Sequence, residues 1–313
     1  MPKQNEQDET ILAILSAIGA KSGALAIPLK PEEMIQNLQA AGYRIVKHDP
    51  GSEQRHLREI KTFSKERWEG GEIVKFGALS CPHLGSRQQQ LTFLHTLYDR
   101  FATEGITTVL NCGDIAEGDG YVYRGQHYDV FLHGADVQRD YIVEKYPKRD
   151  GITTYMIAGN HDWSFWQRGG FNILESVADK RPDMVYLGAM GAKVLVDGVH
   201  VYVSHGSGGN AYARSYKPQK RIEQFAPAEK PEVFLLGHYH SWNHLPMYRN
   251  VIGYQMGCLQ SQTDYLKRTG LYPEIGGLIL TIYRGTKGAD RLGGFVRVID
   301  EIVPLYKPKE RDY

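Results

Sequence analysis

Five apolar runs in this chain stop on residues that bind metals or turn the backbone, and no other feature narrows the choice of fold as much. They end in Ser80-Cys81-Pro82-His83, Gly113-Asp114, Gly159-Asn160-His161-Asp162, Val203-Ser204-His205-Gly206 and Gly237-His238-Tyr239-His240. Glycine stands beside the ligand-type residue in four of the five. It lets the backbone turn sharply and approach an ion or a phosphate. The carboxyl ends of strands are the usual place for a site in an α/β fold. Taken singly, each ending has a plain explanation. A histidine after a strand is commonly a hydrogen-bonded cap, and an aspartate after glycine is commonly a turn residue. Independent turns have no reason to finish in His, Asp or Asn every time, so the endings read as one shared site.

The texture between the endings supports this. From Glu72 onward, apolar strands alternate with helical stretches. Residues 72–80, 106–114, 153–162, 232–240 and 250–257 read as strands, 87–105 and 171–179 as helices. Residues 193–206 read as a hairpin turned at Asp197-Gly198, and the tail holds two further strands around a Gly-rich turn. The pattern is that of a layered α/β domain over 72–313. Residues 1–48 hold two short helical patterns, the second followed by a strand-like stretch. They resemble a small winged-helix module; a helical cap on the main domain is the other reading. Residues 49–71 are polar and highly charged and read as a linker.

The global balance excludes little by itself. Formal net charge is +1 over 313 residues, so nothing overall demands nucleic acid or a membrane. The three cysteines, Cys81, Cys112 and Cys258, are far apart and odd in number, which argues against a disulfide framework and for a reducing compartment. The polar N-terminus has no signal-peptide core, and no apolar run is long enough to span a bilayer. The expected location is the cytoplasm, with no membrane partner. Oligomeric state is not legible.

The ordered series PH, GD, GNHD, SHG and GHYH resembles the calcineurin-like metallophosphoesterase superfamily over about residues 73–270. The resemblance implies a double β-sheet α/β sandwich flanked by helices, with two metals at the strand ends. It implies that His83, Asp114 and His240 serve the first metal. Asp114 would bridge to a second, which also takes Asn160, His205 and His238. His161 would be no ligand but a proton donor to the leaving oxygen or a phosphate contact, oriented by Asp162. Two divalent transition-metal ions (Mn, Zn or Fe) are implied, bridged by a hydroxide that attacks phosphorus. The residue types suit this chemistry: a carboxylate can bridge two cations, and neutral imidazoles bind Zn, Fe or Mn without overcharging the site.

One position departs from the family pattern. Its first motif is Asp-x-His, and the aspartate falls on Cys81. A thiolate there keeps the negative charge and leans the site toward Zn or Fe. A thiol would weaken the first metal. Cys81 through Arg87 also reads as C-x5-R, the loop of cysteine-dependent phosphatases, in which the thiolate attacks phosphorus. A buried inert cysteine is the fourth account.

Residues 115–150 separate the second and third motifs and mix Tyr121, Tyr123 and Tyr128 with Arg124 and Arg139. Such a mixture suits bases and phosphates, although 129–146 also has the spacing of an ordinary amphipathic helix. Arg87, Arg124 and Arg168 are the candidate phosphate contacts. The expected function is hydrolysis of phosphate esters, a phosphodiesterase or DNA nuclease ahead of a monoesterase, with DNA as a candidate partner. The alternative is a catalytically weakened accessory protein of DNA metabolism, for which Cys81 is the support.

Overall fold

A computed structural model describes residues 71–285 and 295–313. The helical module expected over 1–48 and the charged linker over 49–71 lie outside the described residues, apart from Gly71, which opens the first strand. Strands β1 (Gly71–Leu79), β2 (Thr108–Asn111), β3 (Thr153–Ala158) and β4 (Met184–Ala189) run parallel as neighbours. β10 (Gly276–Gly285) and β11 (Phe295–Pro304) extend this sheet antiparallel beyond β1, in the order β11-β10-β1-β2-β3-β4. The second sheet has the order β5-β6-β7-β9-β8, from β5 (Gly191–Val196), β6 (Val199–His205), β7 (Val233–Gly237), β8 (Asn243–Tyr248) and β9 (Val251–Gln255). β6, β7 and β9 are parallel, so this sheet too has a carboxyl edge.

Alternation within the strands decides which faces meet. Val74, Phe76 and Ala78 of β1 and Leu278, Leu280 and Ile282 of β10 pack against Val199, Val201 and Val203 of β6. This buried layer joins the sheets, each such side chain contributing about 1.5–3 kcal/mol of transfer free energy. The outer face of the first sheet is covered by α1 (Leu91–Thr103), α3 (Ala135–Lys145) and α5 (Ile173–Ala178). Gly77 lies against the Phe101 ring of α1 so closely that a Cβ there would sit 2.9 Å from it. α6 (Tyr216–Ile222) covers the outer face of the second sheet through Ile222. The result is helix, sheet, sheet, helix: the metallophosphoesterase-type sandwich.

The Asp197-Gly198 turn is present, with φ of 45° and 78°, the left-handed pair that a two-residue hairpin favours. The helical pattern over 129–146 is broken: α2 (Gln126–Asp129) ends there, and α3 begins only after Gly134, whose φ is 100°. Helix α4 (Asn160–Gly169) starts inside the GNHD motif, which the strand reading of 153–162 had not separated. Among the described residues, no helix is long and apolar enough to cross a membrane.

Candidate metal centre

The carboxyl ends of β1, β2 and β3 in one sheet, and of β6 and β7 in the other, converge on one cluster. The local backbone is unusual. Cys81, His83, Asp114, His238 and His240 all have φ between 48° and 88°. Left-handed backbone costs a non-glycine residue about 1–2 kcal/mol, and Asp and His tolerate it better than β-branched residues. Five such residues in one cluster are strain held by the surrounding fold. Hydrogen bonds from the amides of Cys81 and His83 to the carbonyls of Gly113 and Asp114 hold two of the loops together.

Nε2 of His83 lies 3.2 Å from Nε2 of His240. Neutral rings in this arrangement need a proton or a cation between them. The Nδ1 atoms of both rings are buried without an aligned hydrogen-bond partner, although Nδ1 of His83 is 2.9 Å from Oε2 of Glu117. Burial, then His161, holds His83 well below the ordinary imidazole range, and burial, then His83, does the same to His240. Both rings are therefore neutral and free of proton competition for a metal.

Asp114 forms the other pole. Oδ2 accepts from Nε2 of His205 at 3.0 Å, and Oδ1 accepts from the His161 amide at 2.8 Å. Burial pushes Asp114 upward, but His205 and His161 overcome that and hold it well below the usual carboxylate range. His205 Nδ1 donates to the Cys112 carbonyl at 2.6 Å, and its Nε2 is 3.1 Å from Oδ1 of Asn160. Burial lowers His205, but Asp114 outweighs it and raises the ring. His238 stands slightly apart: its Nε2 is 2.9 Å from the Gly208 carbonyl, and burial, then His205, lowers it to about 4.

Cys81 is fully buried. Its sulfur belongs to two ligand groups, one with His83 and His240 and one with Asp114 and His205, each within a mutual 4.8 Å. It receives a hydrogen bond from the His238 amide at 3.3 Å and sits 3.0 Å from Ser80 Oγ. Burial, then Asp114, pushes the thiol well up. The nucleophile account loses its second member, because the Arg87 guanidinium is exposed and donates to the Tyr128 carbonyl at 3.2 Å.

The donor types fit a divalent transition metal: imidazoles, one carboxylate, an amide oxygen and a thiol, with the Nε2 atoms of His83 and His240 turned toward each other. The cluster opens into a cavity of about 340 Å³. His83, Asp114, Asn160, His161, His238 and His240 line it; Cys81 and His205 lie behind the wall.

Several expected contacts are placed differently. Asp162 does not hold the His161 ring. Its carboxylate accepts from the amides of Ala116, Gly159 and Ile115 at 2.7, 2.9 and 3.2 Å, and so fixes the loop. Burial, then Asp114, raises it to about 7. His161 Nδ1 instead donates to the Glu117 carbonyl at 2.5 Å, with Gln126 Nε2 at 3.2 Å. Arg87, Arg124 and Arg168 do not line the cavity: Arg124 is exposed, and Arg168 stacks over Tyr121 at 4.3 Å. Trp163 and Trp166 stack on each other at 5.6 Å, away from the opening.

Glu117 was not singled out in the sequence. It is fully buried, faces His83, and accepts from Gln260 Nε2 at 2.9 Å and Gln126 Nε2 at 3.2 Å. Burial raises it to about 7. The only local signal is a carboxylate three residues after Asp114 and just before a glycine. The apolar wall was half visible: Tyr123 of the insertion stacks on Tyr265 at 4.7 Å, and both line the cavity.

No curated protein sequence matches the chain. Among solved structures, an archaeal phosphodiesterase is similar at 14% identity and a TM-score of 0.41, over 74% of this chain and 100% of that one. Vps29 of Chaetomium thermophilum is similar at 11% and 0.38, over 75% and 100%, and zinc-complexed Vps29 of Entamoeba histolytica at 11% and 0.35, over 74% and 99%. The model of the calcineurin-like phosphoesterase family matches residues 74–271, a span that takes in every strand-end motif. This chain therefore belongs to the calcineurin-like phosphoesterase family.

Proposed function

We propose that the protein is a metal-dependent phosphodiesterase, with nucleic-acid diesters as its preferred class. One observation carries the choice of diester: among the described residues lining the 340 Å³ cavity there is no lysine and no arginine. A monoester dianion would bring a second charge that no permanently cationic side chain there answers. A diester carries one charge and two organic groups, and the wall offers Val122, Tyr123, Tyr265, Leu266 and Leu271.

His83, His240, Asp114, His205, Asn160 and His238 would hold the cations, with Cys81 as a thiolate ligand. Bound divalent cations supply charge neutralisation at phosphorus and activation of water. His161 supplies the proton. Because Nδ1 donates to the Glu117 carbonyl, Nε2 is the nitrogen left for the cavity. With both nitrogens protonated it would give the Nε2 proton to the leaving oxygen as hydroxide bonds to phosphorus and the P–O ester bond breaks, which leaves the ring neutral. Oε1 of Glu117 lies 3.9 Å from Nδ1 of the same ring.

A second reading, a phosphate-binding accessory protein, is favoured by the buried, high-pKa thiol at the position of a ligand carboxylate. Chelator-stripped protein, reloaded with Mn, Zn or Fe and assayed on bis(p-nitrophenyl) phosphate and p-nitrophenyl phosphate, separates the two. We expect faster diester turnover. Faster monoester turnover would remove the diesterase reading, and bound metal without any turnover would favour the accessory protein. Cys81→Asp should keep or raise activity and move its preference toward Mn. Unchanged metal content in Cys81→Ala would make Cys81 inert.

A further inference from the structure

The metal-centre cavity has neighbours. A second recess of about 370 Å³ shares Asn210, Tyr239, His240, Leu266 and Leu271 with its lining and takes in Tyr212 and Tyr272. A third, of about 440 Å³, shares Arg214, Tyr272 and Pro273 with the second and takes in Trp242 and Tyr306. The three adjoin through shared lining residues, and this stepped groove carries a series of aromatic side chains. Tyr272 and Tyr306 keep 69% and 86% of their surface exposed, and Tyr212 is fully exposed. Burial in a core explains none of these three, and large solvent-facing rings along a groove are platforms for planar groups.

We propose that this groove is the path of a single-stranded nucleic acid whose scissile diester lies at the metal centre. The proposal rests on the diesterase reading and extends it from one bond to a polymer. A groove that leaves a phosphodiester site and carries successive aromatic faces matches a chain of diesters with a base at each unit. In a duplex the stacking of successive base pairs buries the faces that the rings require, so a duplex does not fit. The cations are few. Arg214 borders the groove but donates to Glu274 at 2.7 Å, and Lys217 stands 5.5 Å from the Tyr239 ring. Stacking, not phosphate neutralisation, supplies the affinity.

The test uses the full chain with metal and an oligothymidylate series from the dinucleotide upward. Turnover efficiency should rise with length and level off once the strand spans the groove. Tyr272→Ala and Tyr306→Ala should each lower efficiency on the longest strand by about tenfold and leave bis(p-nitrophenyl) phosphate unchanged. No dependence on length, equal loss on the small diester, or tighter binding of the matching duplex would overturn the path. If the protein hydrolyses no diester at all, the diesterase reading fails separately. Anisotropy of a fluorescent oligothymidylate then decides the groove: tenfold weaker binding by Tyr272→Ala upholds it, and unchanged binding overturns it.

Discussion

His83 and His240 meet nitrogen to nitrogen, whereas His205 meets a carboxylate, and this divides the candidate metal centre into two unlike halves. In the first half two neutral rings face each other at 3.2 Å, with both Nδ1 atoms buried and unaligned. In the second, His205 and Asp114 form a buried pair in which each group has its hydrogen bonds. The second half is complete as protein. The first leaves both Nδ1 atoms without an aligned partner and is in that sense unfinished. Cys81 belongs to both ligand groups and is the point at which a change in one half reaches the other.

The largest test of this division is Asp114→Ala. Asp114 is the one carboxylate in the second half and sits 3.9 Å from Nε2 of His83 in the first. Its loss should empty both halves of metal and lower turnover about a thousandfold, beyond the roughly 100-fold that outer-shell changes cost. Full metal content by elemental analysis would show that the halves do not share it.

Next in size is a contrast in metal-free protein. His205→Ala leaves the Asp114 charge buried without its partner and should cost about 3 kcal/mol in urea unfolding with chelator present. His83→Ala removes a ring that has no aligned partner at Nδ1 and should cost about 1 kcal/mol. Equal losses would erase the distinction between a complete half and an unfinished one.

His161→Ala should lower turnover about 100-fold with metal content unchanged, because the ring lines the cavity from outside both ligand pairs. Metal loss in this variant would move His161 into the first half. The smallest expected effect is that of Glu117→Gln. Glu117 positions His83 from behind, and the amide keeps its shape without its charge. Affinity in the first half should fall about tenfold in a competitive metal titration, while unfolding of the chelated protein stays the same. A shift in unfolding with no shift in affinity would reduce Glu117 to a structural role.

The ligand-type residues were readable because their signal is local. An apolar run of period two, a glycine and a histidine or aspartate lie within ten residues of each other, and β1, β2, β3, β6 and β7 each end that way. The Asp197-Gly198 turn was legible for the same reason. Other features had no local mark. Gly134 breaks a stretch whose apolar spacing reads as one helix, since periodicity does not register where a backbone turns left-handed. Arginines near motifs looked like phosphate contacts, yet Arg87 and Arg168 are held by Tyr128 and Tyr121 on the surface.

By itself the sequence determined which side chains stand at the strand ends, and hence the donor chemistry and the family. Residue type and strand period are properties of neighbours along the chain. The tertiary structure alone decided that Glu117, Gln126 and Gln260 close around His83 and His161, and that Asp162 braces a loop instead of a ring. It also decided that Tyr212, Tyr272 and Tyr306, from separate segments, border adjoining recesses. Each of these depends on packing between segments far apart in the chain, and no local pattern encodes which of them will be neighbours in space.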